Sequence, residues 1–229
     1  MSTISQRFEQ IRARVHRTAA ACGRKPEDIE IIAVSKTCPA SSIEQAVAAG
    51  ARHLGESYIQ EAVDKIQQLS GLAAVWHFIG PIQSNKTRQI AEHFAWVHSV
   101  DREKIARRLN DQRPEQLPPL NVILQLNISQ DPNKQGIVPA ELEQLAAQVA
   151  EMPRLTLRGI MAVPAIDLEE SELRRQFRAM NTLLTGLTSK YPECNQLSLG
   201  MSGDMDIAIE CGSTMVRVGS AIFGSRPGR

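Results

Sequence analysis

Lys36 closes an apolar run, Ile31-Ile32-Ala33-Val34, followed by Ser35. A lysine at the end of a buried strand is partly desolvated. Desolvation favours its free amine, the form that condenses with a carbonyl to give a Schiff base. A solvated lysine at a strand edge is the competing reading. A second lysine, Lys86, lies in Trp76-His77-Phe78-Ile79-Gly80-Pro81-Ile82-Gln83-Ser84-Asn85-Lys86. It falls beyond a turn, where a third helix is expected to begin, which is a wetter place for that chemistry. His77 alternates with apolar neighbours and is expected to face inward, as a site residue or as a core histidine bonded to backbone.

Anion chemistry is suggested by two glycine-containing segments near the C-terminus. Leu199-Gly200-Met201-Ser202-Gly203-Asp204 runs from an apolar stretch into a short helical one, and Gly219-Ser220 follows another, with Gly224 close behind. Backbone N–H groups beside glycines at a helix start can cradle a phosphate. Tight turns explain either segment taken singly. Arg217 interrupts a β-rich run as Val216-Arg217-Val218, so it is either solvated at an edge or turned toward a polar ligand. Asp131-Pro132-Asn133-Lys134-Gln135-Gly136 is rich in turn formers, and Lys134 could reach over the same region.

These residues need a scaffold that brings strand ends together, and the hydrophobic pattern supplies one. Strand-like runs occur at 29–34, 52–56, 75–79, 96–99, 121–127, 156–163, 196–199 and 214–218. Helical periodicity separates them: Leu142, Leu145, Ala146 and Val149 share one face, as do Leu173, Phe177, Met180, Leu184 and Leu187. A helix is expected at 40–49, stopped by Gly50, and a short one at 205–210. Residues 111–119, with three prolines, read as one long connection. An amphipathic first helix begins after Thr3, which with Gln6 makes a capping box. Eight alternating units predict an α/β fold, a single-domain (β/α)8 TIM barrel over residues 1–229, with an open doubly wound sheet as the alternative. In such a barrel the polar residues just after each strand share one mouth, and phosphate is often held after strands seven and eight.

Lys+Arg number 26 against Asp+Glu 25. No nucleic acid or anionic membrane partner is expected from that balance. The charged, amphipathic start makes a signal peptide unexpected, no stretch reaches membrane-spanning length, and no Cys/His spacing suits zinc. The four cysteines, Cys22, Cys38, Cys194 and Cys211, read as reduced thiols, and a cytoplasmic protein is expected. Cys38 lies two residues after Lys36 and reads as a small buried filler rather than a redox group.

Five segments in this order resemble the pyridoxal phosphate homeostasis protein family (YggS/PROSC, or PLPBP-like). They are Ala33-Val34-Ser35-Lys36; Gly55-Glu56-Ser57-Tyr58-Ile59-Gln60-Glu61; the 76–86 segment; Leu199 to Asp204; and Gly212 to Gly224. They span nearly the whole chain. The resemblance implies a barrel similar to that of alanine racemase (fold-type III), without the racemase's second, β-rich domain. It implies a pyridoxal 5′-phosphate (PLP) carrier acting in vitamin B6 and amino-acid homeostasis without established turnover.

By position, the resemblance makes Lys36 the Schiff-base lysine. It gives Ser202, Gly219 and Ser220 to the phosphate with the Met201 backbone beside them, and turns Arg217 toward the pyridine nitrogen. Ser57 and His77 are expected at the cofactor as well. Ser57 stands where the family usually reads Asn, and its shorter hydroxyl reaches less far; Gly203 stands where the family often has an acidic residue. An arginine at the ring nitrogen disfavours pyridinium formation and weakens the ring as an electron sink. A racemase needs acid–base groups on both faces of the substrate carbon, and no convincing second group accompanies Lys36. The expected partners are PLP and apo PLP-dependent enzymes, and the expected state is a monomer. The alternatives are a weakly active racemase-like enzyme, a Schiff-base aldolase without PLP and an interaction module.

Overall fold

The computed structural model describes residues 2–224 apart from 130, 132, 133 and 166. Eight parallel strands close on themselves in sequence order: β1 (Glu30–Val34), β2 (His53–Glu56), β3 (Val75–Phe78), β4 (Trp96–Val100), β5 (Leu120–Leu126), β6 (Leu155–Ala162), β7 (Gln196–Ser198) and β8 (Met215–Val218). Pairing of β1 with both β2 and β8 excludes the open sheet, because an open sheet leaves two strands with one neighbour each.

The helices are α1 (Ile4–Ala21), α2 (Ala40–Ala48), α3 (Ile59–Gln68), α4 (Thr87–His93), α5 (Glu103–Gln112), α6 (Leu142–Ala150), α7 (Glu170–Lys190), α8 (Met205–Glu210) and α9 (Ser220–Phe223). Thr3 and Gln6 form the expected capping box, and Ile4, Phe8, Ile11 and Val15 are the buried stripe of α1. The apolar faces read in α6 and α7 are buried as expected. Among the described residues, no helix is long and apolar enough to cross a membrane.

Local boundaries differ where side chains decide. α5 runs to Gln112, because Ile105, Ala106 and Leu109 pull it onto the barrel, so the expected connection at 111–119 starts two residues late. Val163, expected at the end of the sixth strand, lies outside β6 and is 41% exposed. The one-turn α9 replaces what reads in the sequence as a glycine turn. The 131–136 loop is described only in part.

The main core lies between strands and helices. A smaller cluster, Ile32, Ile123, Met161 and Met215, fills the barrel interior with Trp96 beside it. The interior also holds His77, His98, Ser198 and Arg217, all buried. So many polar groups inside a barrel must satisfy one another.

Candidate functional site at the barrel mouth

Lys36 follows β1 directly and is half-buried. It lines a cavity of about 320 Å3 together with Val34, Ile79, Met201, Ser202, Gly203, Arg217, Gly219 and Ser220. These residues come from the C-terminal ends of β1, β3, β7 and β8, the barrel face where loops build sites. Six of the eight residues singled out in the sequence therefore meet in one place: Lys36, Met201, Ser202, Arg217, Gly219 and Ser220. Lys86, the rival lysine, ends a short 3-10 turn at Ser84–Lys86 and is not among the cavity's lining.

The loop after Lys36 is held under tension. Thr37 has φ +64, a left-handed conformation unfavourable for a β-branched residue. Its N–H donates to Glu61 Oε1 at 2.5 Å. Glu61 belongs to a buried network that sequence reasoning did not find. Lys65 Nζ donates to Ser35 O at 2.8 Å, Glu56 Oε1 at 2.9 Å and Glu61 Oε1 at 2.5 Å, and Ser35 Oγ donates to Glu56 Oε1 at 2.7 Å. Burial pushes the Glu56 carboxyl up and Lys65 pulls it partly back. The spacing of Glu61 and Lys65 on one turn of α3 is the signal that could have revealed it.

At the opposite wall, Gly200 takes φ +89 and a Cβ there would stand 2.6 Å from the Ala208 side chain, so the turn into 201–204 needs glycine. Met201 N–H donates to Asp204 Oδ1 at 2.5 Å. That amide is already satisfied, which argues against the expected backbone contact from Met201 to a phosphate. Ser202 and the opening of α9 at Ser220 line the cavity. The first amides of a helix have no intrahelical acceptor and are available to an anion.

Arg217 is 5% exposed. Its Nη1 donates to Ser198 O at 2.7 Å and to Ser198 Oγ at 2.6 Å, and its Nη2 to Ala162 O at 3.1 Å. Burial pulls the guanidinium down to about 10, with Asp204 opposing. It remains a fixed cation at neutral pH.

Two expected site residues lie elsewhere. Ser57 is half-buried against Gly80, where any Cβ would stand 2.2 Å from Ser57 O, and it is not part of the cavity lining. His77 faces inward as expected, but one layer below the cavity. Its Nε2 is 2.9 Å from His53 Nδ1 and its Nδ1 is 2.9 Å from His98 Nε2. Burial first, then the neighbouring histidines, holds His77 well below the usual imidazole range; burial and Arg217 do the same for His98. Cys38 is half-buried, with its thiol 3.7 Å from Lys36 O.

The sequence model of the alanine racemase N-terminal domain family matches residues 7–227. A pyridoxal phosphate homeostasis protein from Escherichia coli is 56% identical over 99% of this chain and 98% of its own length. The solved structure of PipY from Synechococcus elongatus with PLP bound superposes with a TM-score of 0.81 at 36% identity, covering 92% of this chain and 99% of that one. Alanine racemase from Corynebacterium glutamicum shares the fold, with a TM-score of 0.68 at 17% identity over 96% of this chain and 62% of its own.

Proposed function

The chain belongs to the pyridoxal phosphate homeostasis protein family, and from that premise we propose that it is a cytoplasmic carrier of pyridoxal 5′-phosphate that binds the cofactor through Lys36 and does not turn over amino acids. The observation that carries this reading is the cavity itself: one amine, one buried guanidinium and two Ser/Gly segments face a single space of about 320 Å3. The donor set fits the cofactor. Ser202, Gly219 and Ser220 would hold its phosphate, Arg217 would meet the ring nitrogen, and Lys36 would take the aldehyde. PipY, solved with PLP bound, has the same overall fold.

Bound PLP supplies an aldehyde that condenses with an amine and a ring that withdraws electrons. The chain's own residues restrict the chemistry open to that pair. Arg217 is fixed by three hydrogen bonds and stays protonated at neutral pH, so beside the ring nitrogen of PLP it would disfavour a proton there. Thr37, tied to Glu61, orients the segment that carries Lys36. Among the described residues of the lining, Lys36 is the side chain able to exchange a proton in catalysis. Tyr58 is 42% exposed at the rim, and Tyr191 lines a groove with Leu155 and Lys190 at the far end of the barrel. A racemase needs a second group across the substrate carbon. These features support carriage over catalysis.

Tyr58, Val163 and Met201 are large apolar side chains left exposed on the cavity's end of the barrel. They support delivery to apo PLP-dependent enzymes docking over the mouth, with the carrier itself a monomer.

The test is the absorption spectrum of the purified protein before and after borohydride, beside Lys36→Ala. A visible band that borohydride bleaches and that Lys36→Ala lacks is expected. No band after adding PLP would sink the reading. Racemisation of alanine at about 1 per second or faster would overturn the carrier assignment.

A further inference from the structure

The two Ser/Gly segments of the cavity are held from behind by the first helix. α1 gives no residue to the described lining, yet its polar side reaches both segments. Arg7 Nε donates to Ile222 O of α9 at 2.6 Å. Arg14 Nε donates to both carboxylate oxygens of Asp206 at 3.0 Å, and its Nη2 stands 2.8 Å from Asp206 Oδ2. Arg14 Nη1 donates to Ser202 O at 3.3 Å, and Thr18 Oγ1 donates to Asp206 Oδ1 at 2.9 Å. Where the strands end, Arg217 N–H bonds Gly200 O at 2.9 Å. Beyond that point, among the described residues, no backbone hydrogen bond joins 202–204 to 219–224. Their spacing is set through α1. Arg7 and Arg14 lie two turns apart on one side of the helix, about 10.5 Å along its axis. The apolar stripe of Ile4, Phe8, Ile11 and Val15 fixes that helix on the barrel.

The grip on Ser202 has a consequence inside the cavity. A planar trans peptide points its C=O and the following N–H in opposite directions. Ser202 O is turned toward Arg14, so the Gly203 N–H is turned away from it, and Gly203 lines the cavity. Among the described residues that N–H has no acceptor of its own, which leaves it open to an anion.

The same arginine removes a repulsion. Asp204 and Asp206 flank the Ser202 turn, and their carboxylates oppose a phosphate there. Asp204 Oδ1 already accepts from Met201 N–H at 2.5 Å. Burial pushes the Asp206 carboxyl up, but the bonds from Arg14 and Thr18, with Arg17 nearby, outweigh it and hold the group below its ordinary value. Asp206 is therefore an anion whose charge is compensated from α1.

We propose that Arg14, with Arg7, is a positioning residue for the phosphate wall: from outside the cavity it aims the Gly203 N–H at the anion and compensates Asp206, so that docking of α1 and binding of a phosphate strengthen each other. The coupling is reciprocal, so a phosphate in the cavity tightens α1 as much as α1 tightens the phosphate. The inference deepens the carrier reading and rests on it only in taking a phosphate group as the anion.

The experiment compares PLP with pyridoxal, which keeps the aldehyde and lacks the phosphate, on the full chain and on Arg14→Met. Binding is read from the visible band. Arg14→Met should bind PLP about tenfold more weakly or worse, and pyridoxal as the wild type does. Arg14→Lys keeps a charge beside Asp206 but loses the fork that reaches Ser202, so it should fall between the two. Equal losses for both ligands, or no loss for PLP, would overturn the proposal. A second measurement needs no variant. In 1H–15N NMR of the wild type, inorganic phosphate and then PLP should shift the Gly203 amide, and the α1 amides should exchange more slowly with solvent as it shifts. A Gly203 signal that ignores both ligands, or α1 exchange unchanged once that signal has moved, refutes the coupling. A response to inorganic phosphate in a protein that never takes PLP would leave this inference standing and remove only the carrier reading. A visible band whose loss in Arg14→Met is the same for PLP and pyridoxal would do the reverse.

Discussion

Replacing Lys65 with Met should be the most costly single change near the site. The Lys65 and Glu56 side chains are 8% and 0% exposed, so solvent screens their pairing little. Removing one partner of a buried ion pair costs about 3–5 kcal/mol, since the remaining charge is left uncompensated. The lost bond to Ser35 O adds about 1 kcal/mol. Glu56 fixes how that loss varies with pH. Burial already raises its folded-state value above the unfolded 4.5, so the carboxyl costs stability as pH rises through the folded value and nothing well below the unfolded one.

Without Lys65 the folded value rises further, and the penalty grows and extends to higher pH. The difference between wild type and Lys65→Met should therefore be largest at neutral pH and shrink toward pH 4.5. Chemical denaturation at several pH values reads this directly. Adding Glu56→Gln to the variant should recover most of the loss at neutral pH. A loss below about 1 kcal/mol, or one that does not vary with pH, would refute the argument.

Three further outcomes rest on local geometry. Gly159→Ala would place a Cβ 1.8 Å from the backbone oxygen of Gln196, so β6 and β7 must part, with a loss at or above the usual ~1–3 kcal/mol of overpacking, read by thermal melting. Arg217→Met leaves Ser198 O and Ala162 O without their donor, at about 1–3 kcal/mol each, partly offset by removing a buried charge; an unchanged melting midpoint would contradict this. Iodoacetamide at neutral pH should label exposed Cys22 first and leave Cys194 unmodified until unfolding, because Cys194 is fully buried and burial pushes its thiol up to about 12; mass spectrometry of digests reports the order.

The barrel was legible because strands buried on both faces read as continuous apolar runs, and each begins or ends within a residue or two of its run. Lys36 and the Ser/Gly segments were legible because their backbone setting, a strand end or a glycine turn, is local. The line of histidines was not. His53, His77 and His98 occupy inward positions on adjacent strands, but only the register brings the rings within hydrogen-bond reach: Gly55 opposite His77, and His77 opposite Trp96. Lys65 was not legible because a lysine on a helix is ordinarily solvated, and its i,i+4 spacing from Glu61 is equally that of a surface pair. Ser57 was placed at the cofactor by resemblance alone; its backbone packs against Gly80, and it is not among the cavity's lining.

The join between β7 and β8 has one register pair, Ser198 with Met215, with backbone bonds from Thr214 N–H to Leu197 O, Leu199 N–H to Met215 O and Arg217 N–H to Gly200 O around it. Side chains supply further stitches across it: Ser213 Oγ donates to Leu199 O, Leu197 N–H donates to Thr214 Oγ1, and Arg217 grips Ser198. The staves of this cask are thus held at one seam by rivets as well as by backbone bonds, and one rivet is the guanidinium that walls the cavity. Whatever pulls on Arg217 from the mouth also loads the seam, which makes the β7 and β8 amides a strain gauge for occupancy built into the barrel wall.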